Sequence, residues 1–338
     1  MAGTGKTIRW GILSTAKIGV EKVIPGIGRS TTGTVVAIAS RDAARAERAA
    51  ADLGIARAYG SYEALLADPE IDAVYNPLPN HLHVPLTLKA VEAGKHVLCE
   101  KPIALDADEA RLLTRLPRDK LVAEGFMVRC HPQWLRAREI VRSGALGELR
   151  AIQSVFSYFN DDPGNIRNRA DIGGGALLDI GCYPMVAGRY FFEAEPERVL
   201  SLVERDPAFG TDRLSSALID FGGGRRLDFT VSTQLVPYQR LQLFGTRKRL
   251  EIVIPYNAPQ GGETRIVVDD GSRLGDASAT FEIIAAADQY AELADCFGRA
   301  VLGEAELPFG AEDAVKNMAV LDALFASEAS GGWVSLAG

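Results

Sequence analysis

The chain has 338 residues, too many for one ordinary core because single domains split above about 250 to 300 residues, so two domains are expected. Hydrophobic residues at 47%, charged residues at 24% and 34 glycines describe an ordinary globular composition, and no stretch approaches the roughly 20 uninterrupted apolar residues of a membrane helix. A net charge of -7, from 44 acidic and 37 basic residues, provides no global field for polyanions and argues against nucleic acid as a partner.

Met1 to Trp10 has no apolar core followed by a small-residue cleavage site, so no secretory signal is read and a cytoplasmic location is expected. Gly3-Thr4-Gly5-Lys6-Thr7 looks like the end of a P-loop but lacks the strand before it and the helix after it, and is read as a tail. Ile8 to Leu13 reads as a strand, Ile18 to Gly28 as a helix interrupted by Pro25, and Val35 to Ala39 as a second strand. Asp42 is the expected N-cap of an alanine-rich helix running to Leu53. Ala73 to Asn76, Val84 to Glu92, Val97 to Cys99, Ala107 to Leu116 and Leu121 to Glu124 continue the rhythm of strand and helix. That rhythm predicts a doubly wound α/β domain with a parallel sheet over residues 1–124.

From residue 125 the texture changes. A helix from Gln133 to Ser143 stops at Gly144, and alternating segments follow at Leu149 to Phe159, Val199 to Asp206, Leu214 to Phe221, Arg226 to Gln234, Arg240 to Phe244, Arg249 to Ile254 and Thr264 to Val268. Gly222-Gly223-Gly224 reads as a hairpin turn, so residues 125–338 are expected to form an α+β domain with a large open antiparallel sheet. Helices near Ala285 to Arg299 and Ala311 to Glu328 close the chain. An exposed sheet face needs a cover, and pairing of copies through it, as a homodimer or tetramer, is expected. Cys99, Cys130, Cys182 and Cys296 are spread singly and read as buried thiols. His81-x-His83 has no carboxylate cluster beside it, so no metal is expected.

Trp10 to Gly19 carries a strand into a helix. A pyrophosphate at such a turn needs small residues, so that backbone N–H groups can approach it at the positive helix end. In the register Ser14-x-Ala16-x-x-Gly19, the first two glycines of the usual G-x-G-x-x-G are replaced by small residues expected to lose access to positive φ. Ser14, Thr15, Ala16, Lys17 and Ile18 are the candidate cradle; a tight loop of some other α/β protein is the alternative for this turn alone. The second strand ends in Ser40-Arg41, and Arg41 lies 22 residues beyond Gly19, at the ribose-reading position. A guanidinium and a hydroxyl there suit a 2'-phosphate, which favours NADP(H) over NAD(H). Arg45, one turn on, is either a second phosphate contact or an ordinary solvated arginine.

Glu100-Lys101-Pro102 follows the strand Val97 to Cys99 at the carboxyl edge where open α/β sheets bind ligands, and Pro102 holds Lys101 out of helical geometry. Asn76 to His83 leaves its own strand toward the same crevice, so Leu78, Asn80, His83, Glu100 and Lys101 join the cofactor candidates. In Gly173-Gly174-Gly175-Ala176-Leu177-Leu178-Asp179-Ile180-Gly181-Cys182-Tyr183-Pro184, helical geometry would place Asp179 and Tyr183 on one face, and Pro184 must start, kink or end that helix. A buried carboxylate and tyrosine bonded to each other is the plain structural alternative.

The order and intervals of Gly11 to Gly19, Ser40-Arg41, Glu100-Lys101-Pro102 and Gly173 to Tyr183 resemble the glucose-fructose oxidoreductase, inositol dehydrogenase and rhizopine catabolism family over nearly the whole chain. Tyr59-Gly60-Ser61-Tyr62, Phe126-Met127-x-Arg129-x-His131-Pro132-Gln133 and Tyr183 are similar to its branch of dihydrodiol and D-xylose dehydrogenases. The resemblance implies an N-terminal Rossmann domain, NADP and a sugar or polyol substrate. It implies that Lys101 and Asp179 contact the reacting hydroxyl or carbonyl, and that Tyr183 stands where many relatives carry an acid/base histidine. A tyrosine, near pKa 10, is a poor base unless a cation favours its phenolate, and Lys101 is the natural cation. Tyr183 is therefore expected to accept the proton in oxidation and Lys101 to activate it and donate to the substrate oxygen. Asp179 is expected to orient the lysine or a substrate hydroxyl. Arg129, His131, Arg167 and Arg169 offer further donors, Arg129 foremost, or are surface and interdomain charges; without a tight basic cluster an uncharged sugar is favoured. The reverse direction, reduction of a keto-sugar or dicarbonyl, and a non-catalytic NADP-sensing protein are the alternatives.

Overall fold

Short apolar runs separated by helical stretches build a six-stranded sheet in the computed structural model, which describes residues 7–336. The Gly3 to Lys6 part of the tail read above lies outside the described residues. The elements are β1 (Ile8–Leu13), α1 (Ile24–Arg29), β2 (Gly33–Ala39), α2 (Ala43–Leu53), β3 (Arg57–Tyr59), α3 (Tyr62–Leu66), β4 (Ala73–Asn76), α4 (His83–Glu92), β5 (His96–Cys99), α5 (Ala107–Arg111) and β6 (Val122–Glu124). All pairs are parallel, in the order β3-β2-β1-β4-β5-β6. The order reverses between β1 and β4, and ligands of such sheets bind outside the carboxyl ends of strands at that point. Asp42 caps α2 as expected, accepting from the Arg45 amide at 3.2 Å.

The second set is α6 (Pro132–Arg142), β7 (Leu149–Phe159), α7 (Cys182–Phe192), β8 (Arg198–Arg205), β9 (Asp212–Asp220), β10 (Arg226–Ser232), β11 (Gln234–Gly245), β12 (Arg249–Ile252), β13 (Gly262–Asp269) and β14 (Thr280–Ala287), followed by α8 (Gln289–Val301), α9 (Ala311–Ser330) and β15 (Val334–Ser335). Nine strands form one sheet in the order β14-β13-β12-β11-β7-β10-β9-β8-β15. Every pair is antiparallel except β7 with β10. Gly222, Gly223 and Gly224 all adopt positive φ in the hairpin between β9 and β10. One face of the sheet carries buried Ile152, Phe156, Leu227, Phe229, Leu241 and Leu243, covered by α6 and α7. The other is open, with Leu202 78%, Phe281 65% and Ile283 52% exposed.

Two expectations need correction. Ala285 to Ala287 belong to β14 rather than to a helix, because the Asp288 carboxylate accepts from the Tyr290 amide at 3.0 Å and sets the start of α8 there. The helices broken by Pro25 and Pro184 are not simply kinked. A π-helical turn, Gly19–Val23 in one and Leu177–Gly181 in the other, comes just before the α-helix that holds the proline. Proline lacks an N–H and crowds the carbonyl four residues back, and a wider turn accommodates both defects.

The chain divides into two compact units, one through Cys130 together with Asp288–Val315, the other His131–Ala287 with the chain from Lys316 onward. The observed division therefore differs from a single break at 124/125, since residues 288–315 return to the first unit. Their reason is packing: Phe297 of α8 meets Trp10 at 5.5 Å between ring centroids, and Asp295 accepts from the Thr31 and Thr32 amides at 2.8 and 3.1 Å. Gly26 of α1 lies against Tyr290, where a Cβ would stand 2.6 Å from the Tyr290 Cβ. Cys130 and Cys296, far apart in sequence, interact thiol to thiol in this unit, and Cys296 is only half-buried.

Candidate active site

In the first unit the loops after β1, β2, β4 and β5 leave the carboxyl ends of neighbouring strands. Ser14 adopts φ +138° although it has a side chain, and its Oγ accepts from the Ala16 amide at 2.9 Å. The expectation that Ser14 loses positive φ is thus wrong: the hydroxyl closes a turn on the backbone two residues ahead and compensates part of the strain. Thr15, Ala16 and Ile18 are half-buried and Lys17 is exposed, 3.9 Å from Glu21. Ser40 is buried and its Oγ accepts from the Asp42 amide at 3.2 Å. Arg41 and Arg45 are exposed at the start of α2, and Arg41 donates to the Tyr62 phenol, whose pKa burial still raises. Small side chains at this strand-to-helix turn, and two exposed arginines just after β2, are of the kind that fits a phosphorylated dinucleotide.

After β5, the Glu100 carboxylate accepts from the Tyr75 hydroxyl at 2.6 Å and from the Lys101 amide at 3.3 Å, and Lys101–Pro102 is a cis peptide. Leu78 is buried, its amide donating to Asn76 Oδ1 at 3.3 Å, while Asn80 opens a short helical turn. His83 is a correction. Its ring is 1% exposed, with Nδ1 2.6 Å from the Pro102 carbonyl oxygen and Nε2 2.6 Å from that of Leu78, so it is enclosed by the protein and its one neutral-ring N–H donates to one of these two carbonyls. Burial lowers its pKa to about 4. Its role is to tie the loops after β4 and β5 together.

In the second unit Asp179 and Tyr183 lie on the segment formed by the π-turn and α7. Asp179 Oδ2 accepts from the Tyr158 hydroxyl at 2.6 Å and from Arg167 Nε at 2.9 Å. Burial and the Asp179 charge together push the Tyr158 pKa well up, and the same carboxylate raises that of Arg167, which also senses Tyr183. Tyr183 is 4% exposed and packs against the stacked pair Phe156 and Tyr256, with ring centroids at 5.8 and 5.3 Å. Tyr158 drew no attention in the sequence; its only signal was its place at the end of a strand, ahead of a polar loop. Arg129 pairs through Nη1 with Asp313, in the first turn of α9, and lies 4.6 Å from the Phe309 ring centroid. His131 is buried and caps α6, accepting from the Gln133 amide at 3.2 Å, and Arg169 pairs with Asp171 on the surface. Among the described residues no group of three His, Cys, Asp or Glu side chains is placed to hold a metal ion, and no helix is long and apolar enough to cross a membrane.

The chain is 50% identical over 328 residues to the uncharacterized oxidoreductase ORF334 of Rhizobium meliloti, covering 96% of this chain and 98% of that one. It is 37% identical to D-xylose 1-dehydrogenase (NADP(+)) 2 of Haloferax volcanii, over 97% and 99% of the two chains. The crystal structure of KijD10, a 3-ketoreductase from Actinomadura kijaniata in complex with NADP and TDP-benzene, superposes with a TM-score of 0.88 at 30% identity, over 95% of this chain and 98% of that one. Residues 8–125 match the oxidoreductase family with an NAD-binding Rossmann fold and residues 134–251 match the GFO/IDH/MocA C-terminal domain, so the chain belongs to the GFO/IDH/MocA family of oxidoreductases.

Proposed function

We propose that the chain transfers a hydride between NADP(H) and the hydroxyl- or carbonyl-bearing carbon of a monosaccharide or related polyol, for example oxidising an aldose to its lactone. The sugar is supported by the D-xylose dehydrogenase among the relatives, and NADP by that enzyme's cofactor and by Ser40-Arg41 at the end of β2. Bound NADP supplies the hydride acceptor in oxidation and its reduced form the donor in reduction. Ser14, Thr15, Ala16, Lys17 and Ile18 hold the pyrophosphate, Arg41 and Arg45 the 2'-phosphate, and the loops with Leu78, Asn80, Glu100 and Lys101 flank the nicotinamide end.

Tyr183 takes the proton from the substrate hydroxyl during oxidation and returns it during reduction. Lys101 donates to the substrate oxygen and favours the Tyr183 phenolate, and Asp179 orients the lysine or a neighbouring hydroxyl. The single observation that carries the reading is the Asp179 carboxylate fixed by both Tyr158 and Arg167, with the same Arg167 charge close to Tyr183. Such pre-set dipoles and charges are how a site holds groups for a proton transfer. Tyr183→Phe is expected to lower kcat by about a hundredfold or more, the range of a lost general base, with NADPH affinity by fluorescence unchanged. Retention of most of kcat at every pH would remove Tyr183 from this role.

KijD10, a 3-ketoreductase, favours a second reading in which the same groups work in the direction of keto-sugar reduction. Initial rates with NADP and a panel of aldoses, against NADPH and keto-sugars, separate the two.

A further inference from the structure

Asp212, the first residue of β9, is 1% exposed and belongs neither to the glycine turn nor to the helical segment carrying Asp179 and Tyr183. Its Oδ2 accepts from the Leu177 amide at 2.6 Å and from Ser215 Oγ at 3.2 Å, so it meets the first amide of the π-turn in which Asp179 lies. Its Oδ1 lies over Gly175, where a Cβ would stand 1.9 Å away, and Gly175 adopts φ +119°. That glycine is required twice, for its backbone conformation and for the space the carboxylate occupies. Gly174 is pressed from the other side: a Cβ there would stand 2.5 Å from the Arg167 carbonyl oxygen and 2.7 Å from that of Arg169. The Gly175 amide donates to the Arg167 carbonyl at 2.9 Å, and the Arg167 side chain holds Asp179. Among the described residues the Asp212 carboxylate has no ion pair. A buried charge engaged with an amide and a hydroxyl rather than with a cation costs several kcal/mol of desolvation, a poor choice for stability alone. At the amino end of a helical segment it faces the positive pole and fixes where that segment starts.

We propose that Asp212 is a positioning residue for Asp179 and Tyr183, setting from the sheet the start of the segment that carries both; this rests on the roles given to those two residues above. Tyrosine labelled with 13C at Cζ in the full-length protein reports on it without any substrate, because the resonance missing from Tyr183→Phe identifies Tyr183. Asp212→Ala is expected to shift the Tyr183 resonance, whereas Asp212→Asn, which still accepts from the Leu177 amide, leaves it near the wild-type position. If Asp212→Ala does not fold, Asp212→Ser, too short to reach that amide, is read in its place. An unmoved Tyr183 resonance in the truncated variant would overturn the proposal.

A second arm uses NADP and whichever of D-xylose, D-glucose, L-arabinose and D-galactose the wild type oxidises fastest. There Asp212→Ala lowers kcat by about 10- to 100-fold, the scale of a misplacement near 1 Å, with the NADP KM unchanged. Added to Tyr183→Phe it costs less than about twofold more, because residues acting through one another are not additive. Full additivity of the two losses would contradict positioning. If Tyr183→Phe itself is harmless, the proton-transfer role fails while the resonance still decides on Asp212.

Discussion

We propose that Arg41 is the side chain that decides between the two cofactors: its guanidinium, which donates to the Tyr62 hydroxyl, offers paired charged donors that suit a 2'-phosphate. Arg41→Ala is expected to raise the NADP KM by about 10- to 100-fold, the value of one or two charge-assisted bonds, and to change the NAD KM little. Equal losses with both cofactors would assign Arg41 to structure. Arg167→Gln removes the side chain that holds Asp179 and faces Tyr183, so kcat should fall by about tenfold or more while NADPH binding, measured by fluorescence, stays as it was. Lys101, Asp179 and Tyr183, the proposed acid/base group, stand out in the sequence because proline and glycine mark their turns. Tyr158 and Asp212 could not, since their meaning comes from partners 21 and 35 residues away. Residue type also misleads: His83 carries useful chemistry but is enclosed between two carbonyls.

At the scale of elements, the helical segment from Leu177 to Phe192 depends on a carboxylate that burial pushes up to about 6. The groups facing it are the Leu177 amide, Ser215, Arg205 and Tyr158. A carboxyl whose folded pKa lies above its unfolded value of about 3.9 binds its proton more tightly when folded. Its stabilising effect is complete below about pH 4 and is lost as pH rises through about 6. Asp212→Asn lacks that titration, so its Tm relative to wild type should improve between about pH 4 and pH 7, followed by circular dichroism. A Tm difference independent of pH would show that Asp212 does not titrate there. Most strands and helices were legible from periodicity, and β1 was read to the residue. β3 and α3 were too short to show a period, and β11 extends back across Pro237, where the pairing with β7 is irregular. The π-turns left no trace except the proline that follows each.

For the molecule as a whole, the open face of the nine-stranded sheet presents Phe281 and Ile283 to solvent on the edge strand β14, and Leu202 on β8 near the opposite edge. We propose that two copies pair through this face. Small-angle scattering should give a dimer mass, and Phe281→Glu with Ile283→Lys should return the monomer; a wild-type monomer at every concentration contradicts the pairing. Two domains were expected from length alone, but the return of residues 288–315 to the first unit was not, because it rests on contacts of α8 with Trp10 and with the segment after α1.

The central claim is NADP-linked hydride transfer to or from a sugar with Tyr183 as the acid/base. Its most direct test follows absorbance of the reduced nicotinamide while the purified chain is offered a panel of aldoses and polyols with NADP, and keto-sugars with NADPH, in wild type and Tyr183→Phe. Turnover of at least one sugar, faster with NADP than with NAD and reduced by about a hundredfold in the variant, is the predicted result. Tight NADPH binding with no absorbance change for any sugar in either direction would contradict it and point to a protein that senses the cofactor.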